Sequence, residues 1–291
     1  MHPSVLWRAT RAYSLPASVV PVLLGTVLAA RGFASSHPGR FDPSTFFLVL
    51  AGAILAHFGA NVLNDYFDFI KGVDTRPEHG SGVLTGGDLT ARQALLFSCG
   101  LFAAAGVCVW LLLRRPSAIV LPLTLVGLGC GVLYSAVLKR YGMGDLLIIV
   151  AFGLGLTIGA YGVQMGTVSI HQWCMVALYS LPVCLLVDAI LHANNLRDAA
   201  DDRAAHVRTL ATFLSPAVGR WWQQVLLFGP LLFVLIGIGS GFLPVWTLAT
   251  FASLPFLWRA SHSGSVPGTA QAHLVFGLLY TLSFLLKPIF V

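Results

Sequence analysis

Three short stretches of the sequence hold nine of its eleven acidic residues, and each stretch follows an apolar segment. The stretches contain Asp65, Asp68, Asp74, Glu78 and Asp88, then Asp145, and finally Asp198, Asp201 and Asp202. Carboxylates are costly near a bilayer, so their grouping in a chain with 10% charged residues indicates a function. Asp and Asn oxygens suit hard cations such as Mg²⁺, which commonly bind together with substrate phosphates. The pattern therefore predicts a metal–diphosphate site.

The first motif has helical spacing. Asn61, Asn64 and Asp68 recur at i, i+3 and i+7 and so share one helix face. Asp65 lies beside that face, and Asp74 follows in the next loop.

The second motif repeats this arrangement. Asn194, Asp198 and Asp202 recur every four residues, and Asn195, Arg197 and Asp201 are adjacent to them. Two such faces from different helices could hold two Mg²⁺ ions that bridge one diphosphate. The alternative is a pair of solvated helix ends, but two matching motifs on one side of a membrane argue against it.

Cations lie between the two motifs. Lys139 and Arg140 could hold diphosphate oxygens, since a departing diphosphate needs positive charge; ordinary anchoring at the inner leaflet is the alternative.

Asp188 is unusual because it lies inside an apolar segment, on the face that carries His192 and Asn195. An isolated charged carboxylate there would be expensive, so Asp188 is either protonated or faces a polar cavity. His192 alone is typical of a satisfied core histidine. His57 lies one helical turn before Asn61, with a functional and a structural role equally open.

The elements that carry these residues are predicted to be membrane spans. The chain is 57% hydrophobic, and its 10% of charged residues is far below the ~25% of soluble domains. A helical span needs ~20 apolar residues. Nine segments qualify in one domain that comprises residues 1–291: 13–31, 45–65, 93–113, 117–138, 146–166, 173–196, 221–241, 243–260 and 272–291.

Lys and Arg predict the orientation. With the N-terminus in the cytoplasm, twelve of these residues lie inside and five outside, as the positive-inside rule requires. All three acidic stretches then face the cytoplasm. The same rule accounts for the net charge of +6, so we expect no nucleic-acid partner.

Several motifs together resemble the UbiA superfamily of intramembrane aromatic prenyltransferases. They are RAYSLPASVVPVLLG (11–25), NDYFDFIKGVD (64–74), LYSAVLKRYGMGD (133–145) and HANNLRD (192–198). Their details are most similar to the 1,4-dihydroxy-2-naphthoate prenyltransferases of menaquinone biosynthesis, in a bacterial or archaeal-type cytoplasmic membrane. The sequence departs from the superfamily's pattern at Asp145, where a Glu is usual, at His206-Val207, where Gly-Lys is usual, and at Asp188.

The resemblance implies an all-α integral membrane protein with nine helices around a central cavity that opens to lipid. It implies electrophilic transfer of a polyprenyl group from its diphosphate to an aromatic acceptor, with Asp65, Asp68, Lys139 and Asp198 as catalytic residues. Mg²⁺ would be held by Asn64, Asp68, Asp198 and Asp202, with Asp65 and Asp74 assisting. We expect the diphosphate at Lys71, Lys139, Arg140, Arg197 and Arg208. We expect the acceptor at Arg11, Asn61, Asp188, His192 and Asn195.

Other functions remain open. The same chemistry could use 4-hydroxybenzoate, homogentisate, a chlorophyll-type alcohol or a glycerol phosphate ether lipid as acceptor. A membrane terpene cyclase would ionise the same diphosphate without an aromatic acceptor. A cation transporter is disfavoured, because eight of the eleven carboxylates lie in two connections on one side, whereas transporters place their ligands near the midplane.

With the N-terminus in the cytoplasm, tags inserted near Gly80, Tyr141 and His206 are expected to react with an impermeant reagent from the cytoplasmic side alone. Tags near Arg115 and His171 are expected to react only from outside. A tag at His206 outside, with the Gly80 tag inside, would contradict the nine-span arrangement and separate the two motifs.

Overall fold

A computed structural model of the chain describes residues 2–33, 39–73, 80–136 and 142–286, with the backbone alone for 132–136. These residues form helices and contain no β-strand. The α-helices are α1 (Pro3–Ala9), α2 (Pro16–Ala30), α3 (Pro43–Ile70), α4 (Ala91–Leu112), α5 (Val120–Ala136), α6 (Gly144–Ile148), α7 (Leu156–Met165), α8 (Ile170–Ala204), α9 (Leu210–Phe213), α10 (Pro216–Gly239), α11 (Leu254–Ser263) and α12 (Val266–Ser283). Short 3₁₀ segments occupy Ala12–Ser14 and Val245–Ser253, and a π-helical segment, Ile149–Gly155, joins α6 to α7.

Within the described ranges, six helices are long and apolar enough to cross a membrane. They are Ala12–Ala30, Pro43–Ile70, Ala91–Leu112, Gly144–Met165, Ile170–Ala204 and Pro216–Gly239. The fourth predicted segment coincides with α5, whose described apolar stretch, Val120–Gly131, is shorter than a typical span. The predicted region 243–260 is part 3₁₀ segment and part α11. The fold is therefore all-α and membrane-type, while the count of nine and the orientation stay predictions.

Asp42 caps the N-terminal end of α3, which is the end opposite the Asn/Asp motif. Its side chain accepts hydrogen bonds from the Thr45 hydroxyl (2.6 Å) and the Ser44 amide (3.1 Å), and it pairs with Arg115 (3.0 Å). Hydrogen bonds from Thr45 and Ser44, aided by the Arg115 charge, lower the pKa of Asp42 to about 2. Its backbone also exchanges hydrogen bonds of 2.8 and 3.0 Å with the Gln164 side chain in α7. This end of α3 is thereby joined to α7 and to the loop after α4.

The core is formed where α2, α8, α10 and α12 pack together. Leu24, Leu186, Leu226 and Phe276 are completely buried there. Helix α2 also packs closely on α7, and Gly25 permits the approach, because a Cβ at this position would overlap the Thr157 carbonyl oxygen. Small residues allow such contacts between helices that lipid alone would not drive together.

Gly25→Ala is expected to lower the Tm of the detergent-purified protein by several degrees, because overpacking against a backbone atom costs about 1–3 kcal/mol. Gly100→Ala is the matched control, since a Cβ at that position in α4 meets nothing within 4 Å. Its Tm should be unchanged or slightly raised. Equal Tm values for the two variants would contradict the close α2–α7 contact.

Candidate active site

An ion pair between Arg11 and Asp65 anchors the N-terminal segment on α3. Both side chains are largely buried, at 11% and 6% exposure. Arg11 adopts a left-handed backbone conformation (φ 49°), which costs a non-glycine residue about 1–2 kcal/mol. Asp65 also accepts hydrogen bonds from the Ser81 backbone N–H (3.0 Å) and hydroxyl. One carboxylate thus joins α3, the N-terminal segment and the glycine-rich loop that follows α3.

The expectation that Asp65 is catalytic and assists the metal stays a prediction, and the structure adds a role in positioning. Asp65 lies at the edge of the face that carries Asn61, Asn64 and Asp68, about 40° around the helix from Asn61 and about 100° from Asn64. Its oxygens are already engaged by Arg11 and Ser81. Within the described structure Asp65 therefore fixes the position of neighbouring segments.

The face of α3 next to Asp65 carries the oxygen and amide groups predicted for the site. The Asn64 amide donates to the Asp68 carboxylate (3.0 Å), while the Asn64 carbonyl oxygen is buried without a hydrogen-bond partner. One turn earlier, the Asn61 amide donates to the Thr10 carbonyl (2.8 Å) and the Ser14 hydroxyl (3.2 Å). Asn61 therefore supports the N-terminal segment, and Asn64 keeps an oxygen available for a ligand.

The second motif, on α8, is organised around Asp198. Asn194 donates to its carboxylate (3.2 Å), and Arg197 binds both of its oxygens at 2.7 Å. Arg197 also donates to the Asn194 carbonyl (2.9 Å) and hydrogen-bonds with Tyr13. Asp202, one turn further on, is 3% exposed. The segment that binds α3 through Arg11 thus also binds α8 through Tyr13.

A cavity of about 150 Å³ lies between the two motifs; most of its wall is apolar, and it is called the polar cavity here for the asparagines that line it. Asn61 and Asn64 line it from α3, and Asn194 and Asn195 line it from α8. The N-terminal segment closes a third side of the same cavity with Arg11, Tyr13 and Ser14. The structure therefore brings together residues that are more than 130 positions apart in the sequence.

An apolar cavity of about 310 Å³ adjoins the polar one. Its wall comes from α3, α4, α5, α7 and the π-helical segment, a type of helix that is rare and frequent at functional sites. Five residues line both cavities, namely His57, Ala60, Gly131, Ala151 and Phe152. A molecule with a polar head and a long apolar tail would fit across this junction.

Asp188 and His192 lie behind the α8 wall of the polar cavity, among the residues that the structure describes. Asp188 is 2% exposed and contacts Asp145 of α6, while His192 Nδ1 is 3.7 Å from Asp145. The other ring nitrogen of His192 is 3.0 Å from the Gly219 carbonyl oxygen. Two positions that depart from the superfamily's pattern, Asp145 and Asp188, therefore face each other. Asn195, in contrast, reaches the cavity with its amide nitrogen unpartnered.

The predicted diphosphate-binding cations have different surroundings. Arg197 binds Asp198, as described above. Lys71 caps α3 with its ammonium group 5.0 Å from the centre of the Phe67 ring. Arg208 is exposed in the loop between α8 and α9. Asp74, Lys139 and Arg140 lie outside the described residues.

The donor set fits Mg²⁺ that arrives with a phosphate ligand. Within the described ranges, no three His, Cys, Asp or Glu side chains stand together as a ready metal site. Mg²⁺ typically takes one or two carboxylates and completes its shell with substrate phosphates and water. The unpartnered Asn64 oxygen and the adjacent Asp68 provide such a partial set on α3, and Asp198 provides a carboxylate on α8.

Sequence reasoning missed several side chains that shape the cavity. Ser14 and Ser18 bind the two ring nitrogens of His57 at 2.8 and 2.7 Å, and Ser81 and Tyr13 hold Asp65 and Arg197. The spacing of Ser14 and Ser18, four residues apart, was the one available signal. Serine is too common at helix starts for that spacing to be specific.

Asp65→Asn and Asp68→Asn form a matched pair on one helix. Asp65→Asn is expected to lower the Tm by several degrees, because it leaves the largely buried Arg11 unpaired, while Mn²⁺ binding in the presence of diphosphate persists. Asp68→Asn is expected to weaken that binding at least tenfold with a smaller change in Tm. Paramagnetic resonance of Mn²⁺ and thermal unfolding measure both properties, and a reversed pattern would contradict the assignment.

Comparisons with known proteins identify the family and the fold of the chain. Residues 19–284 match the UbiA prenyltransferase family. The chain is 31% identical to UbiA prenyltransferase domain-containing protein 1 of Gallus gallus, over 96% of this chain and 84% of the relative. A UbiA homolog from Aeropyrum pernix K1 has the same fold (TM-score 0.70, 16% identity, 94% and 96% of the two chains). So has a UbiA homolog from Archaeoglobus fulgidus bound to DMAPP and Mg²⁺ (TM-score 0.61, 12% identity, 97% and 99%). The protein belongs to the UbiA prenyltransferase family.

Proposed function

We propose that this prenyltransferase moves a polyprenyl group from its diphosphate to 1,4-dihydroxy-2-naphthoate, with loss of carbon dioxide, in menaquinone biosynthesis. The observation that carries the proposal is one polar cavity lined by Asn61 and Asn64 from α3 and by Asn194 and Asn195 from α8, next to an apolar cavity. This arrangement suits a substrate with a diphosphate head and a hydrocarbon tail.

The diphosphate head belongs between the two Asn/Asp motifs. Bound Mg²⁺, held by Asn64, Asp68, Asp74, Asp198 and Asp202, would neutralise the leaving diphosphate. The DMAPP and Mg²⁺ bound to the Archaeoglobus fulgidus homolog support this assignment by analogy of fold. Five cations would hold the remaining diphosphate oxygens: Lys71, Lys139, Arg140, Arg197 and Arg208. To bind the diphosphate, Arg197 would turn one N–H away from Asp198.

The polyprenyl tail belongs in the apolar cavity. Its wall is composed mainly of aliphatic and small residues, with the rings of Phe102 and Phe152 and, at the junction, His57. Such a wall excludes water, which would otherwise trap the allylic cation formed when the carbon–oxygen bond breaks. The Phe152 ring stands at the junction of the two cavities and can stabilise that positive charge with its face.

The acceptor belongs at the part of the polar cavity formed by the N-terminal segment and Asn195. Arg11 Nε and Asn195 Nδ2 are buried donors without hydrogen-bond partners, and both residues line the cavity. Unsatisfied buried donors are costly, so a ligand with acceptor oxygens is favoured there. A hydroxynaphthoate offers a carboxylate and two hydroxyl oxygens. Asn61 shapes the same wall, and Asp188 and His192 support it from behind through Asp145.

The active site of this proposal faces the cytoplasm of a bacterial or archaeal-type membrane. The cytoplasmic side follows from the predicted topology, which places twelve of the seventeen Lys and Arg residues on the side of the two motifs. The type of membrane follows from the resemblance of the motifs.

An acceptor panel in membranes tests the proposal. With a labelled long-chain polyprenyl diphosphate and Mg²⁺, we expect prenylated product from 1,4-dihydroxy-2-naphthoate, release of carbon dioxide, and loss of turnover on chelation of the metal. Turnover of 4-hydroxybenzoate, homogentisate or a glycerol phosphate acceptor without the naphthoate would reassign the acceptor. A cyclic hydrocarbon formed with no acceptor present would reassign the protein as a terpene cyclase.

A further inference from the structure

His57 occupies the junction of the two cavities. It lies on α3, is 4% exposed and lines both the polar and the apolar cavity. In the proposed reaction, the allylic carbon would pass from the diphosphate to the acceptor at this junction. His57 is therefore the imidazole placed nearest to where the new bond would form, among the residues that the structure describes.

Both ring nitrogens of His57 are bound by hydroxyl groups. Nε2 is 2.8 Å from Ser14 Oγ, and Nδ1 is 2.7 Å from Ser18 Oγ. Ser14 lines the polar cavity, and its hydroxyl lies 2.8 Å from the Arg11 carbonyl oxygen as well as 2.8 Å from the imidazole. The hydroxyl therefore connects the cavity to His57 when its proton turns from that carbonyl towards the ring. The charged group that faces His57 is Arg11, which is itself paired with Asp65. Burial and the nearby Arg11 charge keep the imidazole neutral in the resting protein, so one of its ring nitrogens keeps a lone pair.

The proposed reaction needs such a group. A ring carbon of a hydroxynaphthoate becomes a stronger nucleophile as the conjugated hydroxyl loses its proton. A general base must lie within hydrogen-bond reach of that proton or be connected to it by one bridging group. Building on the proposed function, we propose that His57 takes up the hydroxyl proton of the acceptor through Ser14 and later returns it.

The step balances as follows. The acceptor O–H bond breaks, and its proton passes to Ser14 Oγ while the Ser14 proton passes to His57 Nε2. His57 then carries a proton on each ring nitrogen, and its Nδ1–H donates to Ser18. The ring carbon that bears the carboxylate bonds to the allylic carbon, while the allylic carbon–oxygen bond breaks and its electron pair leaves with the diphosphate. The carboxylate leaves as carbon dioxide, its bonding electrons restore the aromatic ring, and the proton returns from His57 to the ring oxygen.

His57→Gln provides the test in the full-length protein in membranes. A glutamine amide can still bridge Ser14 and Ser18 but cannot take up a proton. We expect kcat for prenylation of the naphthoate to fall about 10²–10⁴-fold. The KM for the prenyl diphosphate should change less than threefold, and acceptor-independent release of diphosphate should persist. Ser14→Ala is expected to reduce kcat similarly, and Ser18→Ala to reduce it less than tenfold.

His273→Gln is the matched control. His273 is also fully buried, with Nε2 3.1 Å from the Pro16 carbonyl oxygen, and lies outside both cavities. This variant should keep the wild-type kcat. The wild-type solvent isotope effect on kcat should be retained in His273→Gln, because the proton path through Ser14 and His57 is intact in that variant.

The outcomes separate the two proposals. A wild-type protein that does not turn over the naphthoate refutes the proposed function. If the wild type does turn it over, an unchanged kcat in His57→Gln overturns the role of His57 alone. A parallel loss of prenylation and diphosphate release, with a lowered Tm, would show that His57 is structural and would equally overturn it.

Discussion

The buried ion pair between Arg11 and Asp65 is the constraint on which the site depends. A guanidinium and a carboxylate in a membrane-spanning bundle must be paired, because either one alone would cost several kcal/mol. The pair holds the N-terminal segment in a left-handed turn at Arg11. From there Tyr13 reaches Arg197, and Arg197 binds Asp198. The two Asn/Asp motifs are therefore held at a fixed separation by a segment that belongs to neither of their helices.

The helices beneath this polar layer are fixed by close packing. Gly25 and Gly277 let α2 approach α7 and α12, where a Cβ would overlap neighbouring atoms. Gly153 similarly brings the π-helical segment onto Cys184 of α8. Because these contacts leave little room, α2, α8 and the π-helical segment cannot shift independently. This rigid packing of α2, α8 and the π-helical segment supports the donors and carboxylates of the two motifs in accurate positions.

Much of the fold class and the position of the two motifs could be predicted from the sequence. Helical spacing placed Asn61, Asn64 and Asp68 on one face of α3, and the paired motifs indicated a shared site. Composition predicted an all-α membrane protein. The sequence could not show that Asp65 pairs with Arg11, because Arg11 is 54 positions away and adopts an unusual backbone conformation. Nor could it show that Asp188 meets Asp145, since the contact depends on how α6 packs on α8.

The wall shared by the two cavities has an evolutionary consequence. Its five residues include Ala60, Gly131 and Ala151, which are small enough that nearly any substitution enlarges the side chain. A larger side chain there narrows both cavities together, which in the proposed function hold the acceptor and the first part of the tail. Selection on one substrate therefore acts on the other through the same atoms. Lineages that change their aromatic substrate by this route would be expected to change their preferred isoprenoid as well.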